Sequence, residues 1–163
     1  MPVVLTREAS GSRSVDALDA RVVKRRAERM LAAIGAPSAE LSLVLTDDAH
    51  IEVLNRTHRR KAKPTDVLAF PMDAAGAGPS RKIQLLGDVV ISLDTAARQA
   101  RERRRPLLAE VTHLLAHGIL HLAGFDHKTD AQERRMNEAT RVLVQHATAR
   151  RGSRSTLIAP PSK

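Results

Sequence analysis

The chain has 163 residues, with 27 basic and 18 acidic side chains and a formal net charge of +9. One domain fills that length, with a core large enough to fold without staples. There is no cysteine, which excludes disulfide scaffolds, thiolate catalysis, iron–sulfur clusters and cysteine zinc ribbons, so a metal site must use His, Asp or Glu.

Taken in chain order, Val3, Val4 and Leu5 make residues 2–6 an edge strand. Apolar residues then recur at three- and four-residue steps from Val15 to Ile34, which predicts a helix capped by Ser14 and stopped by Gly35 and Pro37. Leu41, Leu43 and Leu45 alternate as a strand, and Thr46 caps a short helix through Ile51 and Leu54. Residues 56–63 read as a basic loop, 67–72 as a strand and 73–82 as a Gly- and Ala-rich surface loop. Residues 85–93 read as a strand broken by Gly87. Three helices follow: 94–105, the apolar 107–122 ended by Gly124, and the amphipathic 130–149. The expected fold class is α+β, a small mixed sheet of about four strands flanked by five or six helices, with a metal site at the end of a central helix. Residues 1–150 form the single domain, and 151–163 a basic, disordered tail. No stretch suits a membrane span or a signal peptide, so a cytoplasmic location without a membrane partner is expected.

Four of the seven histidines fall between positions 113 and 127. His117 and His121 are four apart on a predicted helix, so both imidazoles share one face. Gly124 lets the chain reverse and return His127 toward the same point. The pattern H-x-x-x-H-x-x-G-x-x-H offers three nitrogen ligands to one ion and leaves a fourth position for water, as a catalytic zinc requires. His113, a turn earlier, is a supporting or packing residue. The spacing is that of metzincin proteases, but their general-base glutamate is here Gly118. Asp126 either orients a ligand or helps activate a metal-bound water, or else caps its own turn. Glu110 is read as a structural ion-pair partner.

Arginines number 21 against 6 lysines, so the charge reflects either coding bias or a polyanion partner. Arg56, Arg59, Arg60, Lys61 and Lys63 place five positive charges in eight residues. Such a run is either a solvated loop or a phosphate grip beside the metal. Thr65 or Asp66 then fixes the exit of this loop into the next strand. Phe70 and Phe125 are the only aromatics among Phe, Trp and Tyr, so a nucleic-acid partner would be held by its backbone with little stacking.

Leu54-Asn55, Arg59, Pro64-Thr65-Asp66-Val67-Leu68, Phe70-Pro71, Leu86-Gly87-Asp88, Ile91-Ser92 and the run from His117 to His127 resemble the YbeY family of bacterial metal-dependent endoribonucleases. The resemblance runs in order over about residues 41–143. It implies one zinc ion on His117, His121 and His127, and Arg59 as the important arginine of a basic cleft. With Asp126 it forms the expected catalytic pair, and Arg56, Arg60, Lys61 and Lys63 are the expected RNA contacts. It also implies cleavage of single-stranded RNA, maturation of the 3′ end of 16S rRNA and ribosome quality control. The partners implied are rRNA and the small ribosomal subunit, with ribosomal proteins or assembly GTPases as candidates. His58, Ala62 and Ala69 depart from the family, which usually has an aromatic, an acidic residue and serine there. The attacking nucleophile, water or the ribose 2′-hydroxyl, stays open, as does zinc against nickel. The rival readings are a metalloprotease, which Gly118 disfavours, and a ribosome-assembly factor with a structural zinc.

Overall fold

The computed structural model describes residues 3–8, 18–59, 66–71, 85–149 and 158, with the side chains of Arg59 and Leu85 excluded. Among them, four strands make one sheet: β1 (Val3–Glu8), β2 (Glu40–Thr46), β3 (Val67–Pro71) and β4 (Leu85–Ser92), in the order β1-β2-β4-β3. β1, β2 and β4 are parallel, and β3 returns antiparallel along β4. The helices are α1 (Ala20–Ala33), α2 (Asp48–Arg59), α3 (Leu93–Glu102), α4 (Leu107–Leu122) and α5 (Asp130–Thr148). This is the expected α+β class with a mixed sheet.

Alternation along β2 sends Leu41, Leu43 and Leu45 to one face, where all three are buried with residues of α1, α4 and α5. On the opposite face Leu68 of β3 and Val90 of β4 meet Ile51 of α2 in a smaller cluster. α4 is buried on most of its circumference, with the sheet on one side and α5, α1 and α3 packed around it. It is the central helix, and its C-terminal end presents the histidines.

Several boundaries differ from the sequence reading. Leu18 lies outside the helix, which starts at Ala20 with Asp19 as its cap, its carboxylate accepting from the Arg21 N–H. Ser14, the expected cap, is outside the described residues. α2 runs on to Arg59, so Arg56 to Arg59 are helical rather than loop. Arginine is a good helix former, and an apolar stripe already fixes this helix to the sheet. Gly87 does not break β4. It takes φ +137° inside the strand, and a Cβ there would collide with the Phe70 carbonyl of β3. Residues 73–82 and, apart from Ile158, 151–163 lie outside the described residues.

Candidate metal centre

His117 and His121 occupy consecutive turns on one face of α4. The helix ends in a Schellman arrangement: the Gly124 N–H donates to the His121 carbonyl at 3.1 Å and the Phe125 N–H to that of Leu120 at 3.0 Å. Gly124 has φ +99°, a conformation open to glycine and costly for other residues. Phe125 is buried and pins the turn. Two residues on, the His127 N–H donates to Asp126 Oδ1 at 2.8 Å. α5 then begins with a capping box, in which the Gln132 N–H donates to Thr129 Oγ1 at 3.1 Å and Gln132 Oε1 accepts from the Thr129 N–H at 3.3 Å. His127 is therefore held between two closed helix ends.

The result is a triad of imidazoles. Ring centroids lie 4.9 Å apart for His117 and His121, 5.2 Å for His121 and His127, and 5.9 Å for His117 and His127. One ring nitrogen from each lies within 4.8 Å of the others. His117 and His121 are half-buried and His127 is exposed, so the cluster is walled by α4 and open on the His127 side. Burial, and then the like charges of His121 and His127, push the His117 pKa down to about 4, against the opposing pull of the Asp66 carboxylate. His117 is thus neutral at pH 7, with a lone pair free to ligate. Three imidazole donors with one open side suit a borderline divalent ion such as zinc.

Neighbouring residues hold this geometry. Asp66 Oδ1 accepts from the Val67 N–H at 2.8 Å, its Oδ2 from Gln99 Nε2 at 3.2 Å, and its carbonyl from the Ser92 N–H at 2.9 Å. Asp66 therefore anchors the entry to β3, as its place before that strand suggests. Gln99 on α3 has no signal in the sequence, because a polar helix residue reads as surface. At Gly118, an added Cβ would lie 2.8 Å from Val89 Cγ1 and 3.1 Å from Cγ2. α4 sits too close to the sheet for any side chain there, so the metzincin glutamate has no room.

Of the other expected site residues, Arg56 and Asp126 are described with their side chains. Arg59 is the last residue of α2, and only its backbone is described. Arg56 folds back on Glu52 at 3.2 Å, an i,i+4 helix pair. Arg60, Lys61 and Lys63 lie outside the described residues. His58, where the family usually carries an aromatic, places its ring 5.0 Å from that of Phe70, so an aromatic ring still covers β3 at this point. Asp126 is half-buried at its turn. The His127 N–H, and then Lys128 at 3.6 Å, hold its carboxyl below the usual range, so it is ionised at neutral pH. Glu110, wholly buried, is paired with Arg103 and Arg105 as the sequence reading expects.

The sequence pattern described as endoribonuclease YbeY matches residues 8–148. An Endoribonuclease YbeY of Anaeromyxobacter sp. (strain Fw109-5) is 50% identical over 137 residues, covering 83% of this chain and 67% of that one. That of Aquifex aeolicus is 50% identical over 111 residues, covering 68% and 71%, and that of Persephonella marina 42% over 130, covering 80% and 82%. The solution structure of TM1509 from Thermotoga maritima superposes with a TM-score of 0.58 at 22% identity, over 93% of this chain and 100% of that one, a likeness of fold. A mixed four-stranded α+β domain with a histidine triad at the end of its central helix is thus the class to which the chain conforms. The chain belongs to the endoribonuclease YbeY family.

Proposed function

We propose that the protein is a zinc-dependent endoribonuclease that cleaves single-stranded RNA, in maturing the 3′ end of 16S rRNA and in ribosome quality control. Family membership supports the nuclease chemistry. The convergence of His117, His121 and His127 within 4.8 Å, open on one side, is the observation that carries the metal-dependent reading. These three residues would hold zinc, which would lower the pKa of a bound water or polarise a phosphoryl oxygen.

His117 offers a neutral nitrogen, and His121 and His127 complete the set of three donors. Arg59, at the end of α2, holds the scissile phosphate and offsets charge that develops on it. Arg56, Arg60, Lys61 and Lys63 follow the RNA backbone on either side, so binding weakens as salt rises. Asp126, ionised, bonded through Oδ1 to the His127 backbone and paired through Oδ2 with Lys128, steadies that ligand and offers its carboxylate as a proton acceptor. rRNA and the small ribosomal subunit are the partners in this reading, with ribosomal proteins or assembly GTPases as further contacts, in the cytoplasm. Among the described residues no helix is long and apolar enough to cross a membrane.

His117→Ala and Arg59→Ala, assayed on single-stranded RNA with metal content measured, test the proposal. His117→Ala is expected to lose metal and cleavage together, while Arg59→Ala keeps metal and loses cleavage. Full cleavage by metal-free His117→Ala, or RNA binding without cleavage by rigorously purified wild type, overturns it.

A further inference from the structure

A cavity of about 290 Å³ lies between α1, the start of α4 and the end of α5. Pro106, Leu108 and Val144 give it apolar walls, and Arg26, Thr112 and His113 reach into it. Arg26 Nη1 donates to Thr112 Oγ1 at 2.7 Å, and that hydroxyl donates onward to the Leu108 carbonyl at 2.6 Å. This spends one of five guanidinium N–H donors.

The cations around the cavity are not equivalent. Arg103 and Arg105 share the single carboxylate of Glu110. Arg29 is committed to the carbonyls of Ala147 and Ala149 at the end of α5, at 3.0 and 3.1 Å. Arg26 has no carboxylate partner among the described residues; its bond is to the neutral Thr112. Burial lowers its pKa, and so do its neighbours Arg25 and Arg29, both positive. A half-buried cation without a counter-ion among the described residues, set over an apolar wall, suits an anion that carries a flat or apolar body. A nucleotide has both parts. Inorganic phosphate would leave the wall uncovered.

His113 ties this cavity to the triad. It lines the cavity and precedes His117 by four residues on α4, roughly 6 Å along the axis. We infer that the cavity is a second RNA subsite, in which Arg26 takes a phosphate of the single strand whose scissile bond lies at the triad, and the apolar wall takes the attached nucleoside. The inference rests on the endoribonuclease reading above.

Full-length wild type, Arg26→Gln, Arg26→Lys and Ala109→Phe are compared for binding a labelled single-stranded oligoribonucleotide over a salt series. Melting curves confirm folding, and Arg141→Gln, an exposed arginine paired with Glu138, controls for the loss of one charge. Arg26→Gln is expected to weaken binding roughly 3- to 10-fold and to reduce the salt slope by roughly one. Arg26→Lys restores most of the affinity. Ala109→Phe fills the cavity and weakens binding with the slope unchanged. AMP, titrated alone, shifts the backbone amide resonances of Arg26 and Ala109. Wild-type affinity and slope in both Arg26→Gln and Ala109→Phe overturn the subsite, even where AMP binds, since the cavity then serves free nucleotide only. Equal loss in Arg26→Gln and Arg26→Lys also overturns it, because Arg26 is then only a structural partner of Thr112. Wild type that neither binds nor cleaves the oligonucleotide brings down the endoribonuclease reading, and the subsite with it.

Discussion

Glu110 is a wholly buried carboxylate in the first turn of α4, and what keeps it there is asymmetric. Arg103 Nη1 and Arg105 Nε donate to its two oxygens at 2.7 and 2.6 Å. Both arginines come from the short connection after α3 and keep access to solvent, about half for Arg103. Removing the acid lets both guanidinium groups turn to water. Removing Arg105 leaves a buried negative charge with one partner, and a buried ion that has lost its partner costs about 3–5 kcal/mol. Arg105→Ala should therefore destabilise by about 3 kcal/mol, and Glu110→Ala by less. Urea unfolding of both variants measures the order. The reverse order would show that the pair is held by the acid's packing rather than by its charge.

At the scale of elements, the close seat of α4 on the sheet decides what position 118 tolerates. A glycine-to-alanine change inside a helix normally gains about 1 kcal/mol. Here the new Cβ meets Val89, a buried, β-branched side chain with little freedom to turn aside. Overpacking costs about 1–3 kcal/mol, so Gly118→Ala should be net destabilising by up to about 2 kcal/mol. It should also weaken zinc binding, because α4 must lift off the sheet and carry His117 and His121 with it. A melt above wild type refutes this. The triad itself was legible because ligand spacing, the glycine turn and the helix period all act within eleven residues. β2 was legible from its alternation, the other strands from short apolar runs, and α4 from its apolar periodicity. The end of α2 was not, because the charges of Arg56 and Arg59 read as solvated loop while the Ile51–Leu54 stripe still carried the helix onward. The anchoring of α2 and α3 was invisible for another reason. Asp48 Oδ1 accepts from the hydroxyls of Ser92 and Thr95 at 2.6 Å each, and these partners lie 44 and 47 residues away.

Those bonds tie both helices to the C-terminal ends of the strands, which makes them a property of the whole molecule under acid. Burial raises the Asp48 pKa, but the Ser92 and Thr95 hydroxyls and Arg98 at 2.9 Å outweigh it and hold the value below 3.8. The folded state thus binds its proton less readily than the unfolded chain. Stability from this group is full above pH 3.8 and is lost as pH falls through the lower folded value. Urea midpoints should drop in that window, and Asp48→Asn should flatten the drop while lowering stability at neutral pH. Metal acts on the same global balance at the C-terminal end of α4. His117 and His121 belong to α4, while His127 lies in the turn that launches α5, so an ion on all three clamps one helix to the next. α5 packs on α1 as well as α4, so the clamp reaches the folding of the domain. A ligand that binds only the folded state stabilises by about 2.7 kcal/mol at 100 times its dissociation constant. Chelation should remove a stabilisation of that order, and amide exchange should quicken first in residues 125–135, where the clamp lets go. His127→Ala with added zinc should melt like chelated wild type. If zinc still raises its melting temperature by the full wild-type increment, the ion is bound elsewhere and the triad is not its site.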